Sequence, residues 1–317
     1  MPDQHSTPTG SRAMSRLQLS RRNLLAGAAA TGVLAACGSS GGGDADDVAE
    51  SGAGTVATTT GSTSATGDAT WTLVQRFPQD VQVPGPIRLP ISLSTGNAQL
   101  VQDGPASLDA TVTDLEGNQI GEPITATRRD VAPAPYYDFR TTMDEPGVYY
   151  LIVDGGPGQG AAFQVMDPAT VSVPKPGDQL PGFDTPTTDD ARGVEPICTR
   201  EPEPCPFHDV TLTDALSESR GVVYLVGTPA FCATGSCAPA LEAMIDVRDD
   251  FDDAFTFVHA EVYTDDTATE PAPAVEAVGL TYEPALFVTD ANGVVVERLD
   301  AVWDETELVE VLTRVAG

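Results

Sequence analysis

A continuous apolar segment that runs into a cysteine-bearing loop is the feature that most limits the fold of this 317-residue chain. Residues 221–227 carry no charged side chain on either face, which is typical of a central strand covered on both sides. The loop after it contains Cys232 and Cys237, and residues 240–250 then place apolar side chains at helical spacing. The segment therefore predicts a buried strand, a loop with two cysteines and a helix.

Further elements continue this α/β pattern across a predicted domain of residues 207–317. Helices and strands alternate until a hairpin, which is followed by an amphipathic helix. The predicted helices are residues 210–219, 240–250, 270–279 and 304–315, and the predicted strands are residues 221–227, 254–263, 283–290 and 294–299.

This order resembles the thioredoxin fold. Cys232 and Cys237 fall where that family places its redox pair, and Pro284 falls where it places a cis-proline. The resemblance implies thiol–disulfide exchange, with Cys232 as the attacking thiolate and Cys237 as the resolving thiol. It also implies that Pro284 faces Cys232 across a groove, and that Glu283 borders the thiolate and tends to raise its pKa.

The cysteine pair departs from the thioredoxin pattern in spacing and surroundings. Four residues separate the cysteines instead of two, Phe231 replaces a tryptophan, and Val226 stands where a buried acid is usual. Residues five apart on a helix point about 140° away from each other, so a Cys232–Cys237 disulfide requires a non-helical segment. Gly235 permits such a segment.

Some peroxiredoxins of the bacterioferritin-comigratory type share the Cys-x4-Cys spacing, and residues 177–183 are similar to a peroxiredoxin lead-in. Those enzymes also place a threonine three residues before the cysteine, whereas Thr228 lies four before Cys232. No arginine is near in sequence, which leaves a distant residue such as Arg298 to hold the thiolate. These departures count against a peroxidase, so thiol peroxidase is an alternative to exchange and not the main prediction.

A Pro-rich connector, residues 168–206, carries the second cysteine pair. In an exported protein, a local disulfide between Cys198 and Cys205 is the simplest expectation. The alternative is a metal site of Cys198, Cys205 and His208, but this spacing is unusual for zinc and no fourth ligand is evident nearby.

Copper carriers of the thioredoxin fold use two close cysteines and a distant histidine, and copper handling is a further alternative. His259 lies within a predicted strand, where we expect a buried core or rim residue rather than a ligand. We therefore expect neither a metal nor another cofactor.

The pattern of residues 71–167 predicts a domain of short strands, and this segment contains no cysteine or histidine. The strand spacing of about 8–12 residues favours a β-sandwich, and the Pro-Gly-Val-Tyr turn at 146–149 resembles that of bacterial immunoglobulin-like modules. The predicted strands are residues 87–93, 110–113, 124–128, 136–140, 148–153 and 161–165.

The N-terminal segment is predicted to direct export. Arg21 and Arg22 precede an apolar stretch that is too short to span a membrane, and Leu-Ala-Ala-Cys37 resembles the bacterial lipobox. The resemblance implies a twin-arginine lipoprotein signal peptide in residues 1–36, a lipid on Cys37 and an extracytoplasmic, membrane-anchored protein. Residues 37–70 are predicted to be a flexible tether.

The net charge of −31 argues against nucleic-acid partners, because such a surface repels phosphate backbones. The whole arrangement resembles extracytoplasmic thioredoxin-like lipoproteins of actinobacterial type. It predicts a thiol–disulfide oxidoreductase whose partners are exported proteins with thiols or disulfides. The main alternative is a non-enzymatic binding scaffold in which both cysteine pairs are structural disulfides.

Overall fold

The computed structural model describes residues 70–317. The predicted signal peptide with Arg21 and Arg22, the lipidation site Cys37 and the tether up to residue 69 lie outside the described residues. None of the helices in the described range has the length and apolar character needed to cross a membrane.

A seven-stranded sheet, antiparallel throughout, occupies the first part of the described chain. Six of its strands confirm predicted ones. The additional strand, β1, is only four residues long and pairs with β2. The strands are β1 (Thr72–Gln75), β2 (Gly85–Ser94), β3 (Ser107–Thr113), β4 (Gln119–Arg129), β5 (Tyr136–Met143), β6 (Gly147–Val153) and β7 (Ala161–Val165). Their order in the sheet is β1-β2-β5-β4-β3-β6-β7.

A four-stranded mixed sheet with four helices forms the C-terminal part, and every predicted element in this region is present. The elements are α1 (Leu212–Ser217), β8 (Gly221–Val226), α2 (Cys237–Phe251), β9 (Phe255–Ala260), α3 (Pro273–Ala277), β10 (Ala285–Thr289), β11 (Val295–Asp300) and α4 (Glu305–Ala316). The strand order is β11-β10-β8-β9; β8 and β9 are parallel, and the other neighbours are antiparallel.

Strand β8 is apolar throughout because both of its faces are covered. Val223 and Leu225 pack in one core with residues of α2 and α4. Val222, Tyr224 and Val226 face the opposite core, to which α1 and α3 contribute. This confirms the predicted central strand and fixes the point at which the cysteine loop leaves the sheet.

A buried ion-pair network joins the seven-stranded sheet to α4. Glu307, which is 1% exposed, accepts hydrogen bonds from Arg88 and Arg140 at 2.6 Å and another from the Tyr136 hydroxyl. Arg88 also donates to the Val302 carbonyl at 2.6 Å. Removing one partner from such a network leaves an uncompensated buried charge, which costs about 3–5 kcal/mol. The two sheets are therefore fixed against each other, and residues of the first can contribute to sites in the second.

Candidate functional site

Cys232 and Cys237 lie where β8 passes into α2; they are named the exchange pair after the chemistry predicted for them. The intervening loop is non-helical, as predicted: Gly235 has a φ of +68°, and α2 begins only at Cys237. The two sulphurs lie within 4.8 Å of each other, and both thiols are free. The loop therefore brings the sulphurs to a separation from which a small movement makes a disulfide.

The two sulphurs of the exchange pair have different environments. Cys232 is half-buried, whereas Cys237 is 1% exposed. The Cys232 sulphur accepts a hydrogen bond from the Cys237 backbone N–H at 3.3 Å and lies 3.3 Å from the Thr234 hydroxyl. Hydrogen bonding from the Cys237 thiol, with these donors, lowers the pKa of Cys232 to about 5, while burial raises the pKa of Cys237. At neutral pH the accessible sulphur is thus a thiolate and the buried one keeps its proton.

Pro284 lies near Gly227 and Cys237, and the Glu283–Pro284 peptide bond is cis, as predicted. That Pro284 faces Cys232 across a groove stays a prediction. A Cβ atom on Gly227 would lie 3.4 Å from the Pro284 Cβ and 3.6 Å from the Cys237 sulphur. Gly227, which follows β8, therefore lies between Pro284 and the buried Cys237.

Glu283 borders both sulphurs, with a carboxylate oxygen within 4.8 Å of each. Burial, together with the negative charges of Cys232 and Glu261, raises the pKa of Glu283 to about 7. Its Oε2 atom is buried and has no hydrogen-bond partner. Glu283 also raises the pKa of Cys237, whereas hydrogen bonds outweigh its expected effect on Cys232. A carboxyl group with this pKa exchanges protons readily near pH 7.

The arginine beside the exchange pair is Arg76, and the prediction of Arg298 is wrong. Arg298 donates to Asp300 at 2.9 Å and to a carbonyl of the connector. Arg76 follows β1 and donates to the Ser236 hydroxyl, 160 residues away, at 2.8 Å. Burial lowers the pKa of Arg76, and the negative charge of Cys232 counteracts that effect. The first sheet thus supplies a cation to the cysteine loop.

The connector cysteines lie in a second buried group, the Cys/His cluster, formed by Cys198, Cys205, His208 and His259. One ligand atom from each residue lies within 4.8 Å of the others. The Cys205 sulphur is 3.3 Å from His208 Nε2 and 3.4 Å from His259 Nδ1, and these two nitrogens are 3.3 Å apart. Hydrogen bonding from the Cys205 thiol, followed by the two imidazoles, holds the pKa of Cys198 well below its usual range. The Cys198 and Cys205 thiols are free in this structure. The disulfide between them is therefore not observed and stays a prediction.

The edge of β9 assembles the Cys/His cluster. The His259 backbone N–H donates to the Phe207 carbonyl at 3.2 Å, which places His208 beside β9. Glu261, just beyond the strand, accepts the Thr199 N–H at 2.6 Å and so fixes the neighbour of Cys198.

His259 is fully buried, as expected. It also brings a fourth ligand atom to Cys198, Cys205 and His208, for which the nearby sequence offered none. His259 lies 51 residues beyond His208 and approaches it only through the strand pairing. The structure thus places His259 with the connector cysteines, whereas the copper-carrier alternative had considered it as a distant partner for Cys232 and Cys237.

Comparison with models of known protein families gives no match to this chain. A search of curated proteins also gives none.

Proposed function

We propose that this chain is a membrane-anchored, extracytoplasmic thiol–disulfide oxidoreductase of the thioredoxin fold. The observation that carries the proposal is the asymmetry of the exchange pair. Cys232 offers a half-buried sulphur with its pKa lowered to about 5, and the buried Cys237 sulphur lies within 4.8 Å of it. An attacking thiolate and a protected resolving thiol need these two environments.

The topology supports the thioredoxin-like assignment. The order β11-β10-β8-β9, the cysteine loop between β8 and α2, and Pro284 immediately before β10 all agree with it. The seven antiparallel strands around one apolar core support an immunoglobulin-like β-sandwich for the first part.

Exchange would proceed in two steps. The Cys232 thiolate attacks one sulphur of a partner's disulfide, a bond forms between them, and the partner's other sulphur leaves as a thiolate. Cys237 then gives its proton to the Glu283 carboxylate and attacks the Cys232 sulphur. The partner sulphur that was bonded to Cys232 leaves as a thiolate. Two electrons have then passed to the partner, and Cys232 and Cys237 are joined by a disulfide. The reverse sequence oxidises a partner dithiol.

A trapping experiment tests this proposal. In Cys237→Ser the second step is removed, so we expect mixed disulfides between Cys232 and exported proteins to accumulate and to disappear on reduction. Cys232→Ser is the matched control and should trap nothing. The proposal fails if Cys237→Ser, folded and reduced beforehand, captures no more than this control.

The reduction potential of the Cys232–Cys237 couple separates exchange from the scaffold alternative. A structural disulfide lies below about −300 mV, and an exchanging one lies above that value. A potential below that limit would favour a binding scaffold with structural disulfides.

Membrane anchoring depends on Cys37, which lies outside the described residues. Cys37→Ser should leave the protein unprocessed or release it from the membrane fraction. A variant that partitions and migrates like the parent would contradict the lipoprotein assignment.

Thiol peroxidase is a second candidate, favoured by the groups around Cys232. The Thr234 hydroxyl lies 3.3 Å from the sulphur, and Arg76 is close enough for its charge to interact with the thiolate. A hydroxyl and a cation at a thiolate suit a peroxide oxygen. Consumption of hydrogen peroxide by the reduced protein, lost in Cys232→Ser, would support this candidate.

A further inference from the structure

The geometry points to a closed zinc(II) site formed by Cys198, Cys205, His208 and His259. Two thiolates and two imidazoles are a common ligand set of structural zinc, which is bound by four protein atoms at the corners of a tetrahedron. This site is separate from the exchange pair and takes no part in the proposed exchange steps.

The distances within the Cys/His cluster match such a tetrahedron. Bonds of about 2.0–2.1 Å to nitrogen and about 2.3 Å to sulphur require edges of about 3.4 Å between nitrogens and about 3.6 Å between nitrogen and sulphur. The nitrogens of His208 and His259 are 3.3 Å apart, and the Cys205 sulphur is 3.3 Å and 3.4 Å from them. These three atoms are therefore spaced for one central ion, and the Cys198 sulphur lies within 4.8 Å of each of them.

The two imidazoles direct the correct atoms inward. His259 Nε2 lies 3.0 Å from the Gly227 carbonyl and donates its proton there, which leaves the lone pair of Nδ1 facing the cluster. Metal-binding histidines usually make such a hydrogen bond with their other nitrogen. His208 has no partner for its buried Nδ1 atom, so the polar contacts of its ring lie on the cluster side, at Nε2.

Burial identifies the class of site. The four side chains are at most 5% exposed, so no position is open to a substrate or water. This is the arrangement of structural zinc, since catalytic zinc keeps an open position. Thiolates and imidazoles also disfavour magnesium and calcium, which prefer oxygen ligands.

A Cys198–Cys205 disulfide explains the cluster less well. It would leave the cluster-side nitrogens of the two imidazoles with only each other as strong hydrogen-bond partners, 3.3 Å apart, because disulfide sulphurs are weak acceptors. The buried Nδ1 atom of His208 has no partner, and an unpaired polar atom is costly inside a protein. One zinc ion satisfies both sulphurs and both nitrogens together.

Metal analysis of the purified full-length chain tests the inference. After expression with added zinc, we expect one zinc per chain in the parent, and background zinc in Cys205→Ser and His259→Gln. Cys232→Ser with Cys237→Ser is the matched control: it removes the other thiol pair and should retain the zinc.

Cobalt(II) provides a measurement that does not depend on the folding of a variant. Exchange of cobalt into the parent should give the intense visible bands of a tetrahedral site and a thiolate-to-cobalt charge-transfer band. Blocking of thiols in denaturant, after metal removal, should show Cys198 and Cys205 both reduced. A metal-free parent, a Cys198–Cys205 disulfide, bound copper instead of zinc, or zinc lost only from the Cys232 and Cys237 control would each overturn the inference.

Discussion

The two cysteine pairs of this chain have similar sequence spacing, but they differ in exposure and in the groups that contact the sulphurs. Cys232 and Cys237 are five positions apart, and Cys198 and Cys205 are seven. In the exchange pair one sulphur reaches the surface and receives hydrogen bonds from a helix N-terminus, whereas both connector sulphurs are buried against imidazoles. Surroundings rather than spacing thus separate a sulphur suited to exchange from one suited to holding an ion.

Alkylation of the reduced native protein should separate the pairs most strongly. Cys232 should react with iodoacetamide at least about 1000-fold faster than Cys198 or Cys205, because the buried thiols react only after the structure opens. Peptide mapping over time measures the rates, and the denatured chain, in which all thiols react alike, is the control. Similar native rates for Cys232 and the two connector cysteines would remove the distinction drawn between the pairs.

The same reaction gives the pH dependence of Cys232. Its pKa of about 5 means that it is ionised at neutral pH, so the rate should be flat above pH ~6 and fall about tenfold per pH unit below the pKa. A rate that instead rises between pH 7 and 9 would show an ordinary thiol.

Glu283→Gln should reduce the rate of the second exchange step by about 10–100-fold, because Cys237 loses its proton acceptor. The parent's rate should rise with pH through the pKa of Glu283, and this rise should disappear in the variant. In the mixed disulfide this pKa lies below its value of about 7 beside the Cys232 thiolate, because the negative charge of Cys232 is gone. Rapid-mixing kinetics with a preformed mixed disulfide on Cys232 isolates the step. Glu276→Gln, an exposed change on α3, is the matched control, and an unchanged profile in Glu283→Gln would exclude proton transfer through this carboxyl.

Arg76→Met should have the smallest effect. Loss of the positive charge near the thiolate should raise the pKa of Cys232 by about half a unit, visible as a shift of the alkylation profile. Arg76→Lys should restore part of the shift, and Arg192→Met, a half-exposed arginine of the connector, should cause none. An unchanged or lower pKa of Cys232 in Arg76→Met would mean that the charge of the arginine does not stabilise the thiolate.

Elements with a strong local pattern could be predicted from the sequence, and contacts between distant elements could not. The apolar run of β8 and the helical spacing of α2 follow from their own residues, and the loop position of the exchange pair follows with them. Nothing in the sequence around Arg76 indicates that it contacts Ser236, and nothing around His259 indicates that it contacts His208. Arg76 contacts the cysteine loop because the two sheets are joined through α4, and His259 meets His208 because a connector segment pairs with the edge of β9.

The separation of 51 positions between His208 and His259 has a consequence for biogenesis. Three members of the Cys/His cluster leave the ribosome well before β9, and they have no fourth partner until that strand is made. Completion of the cluster therefore coincides with closure of the sheet edge by Phe207. Ion capture would mark the end of assembly of the α/β part, so a nascent chain that stops short of β9 should carry no tightly held zinc.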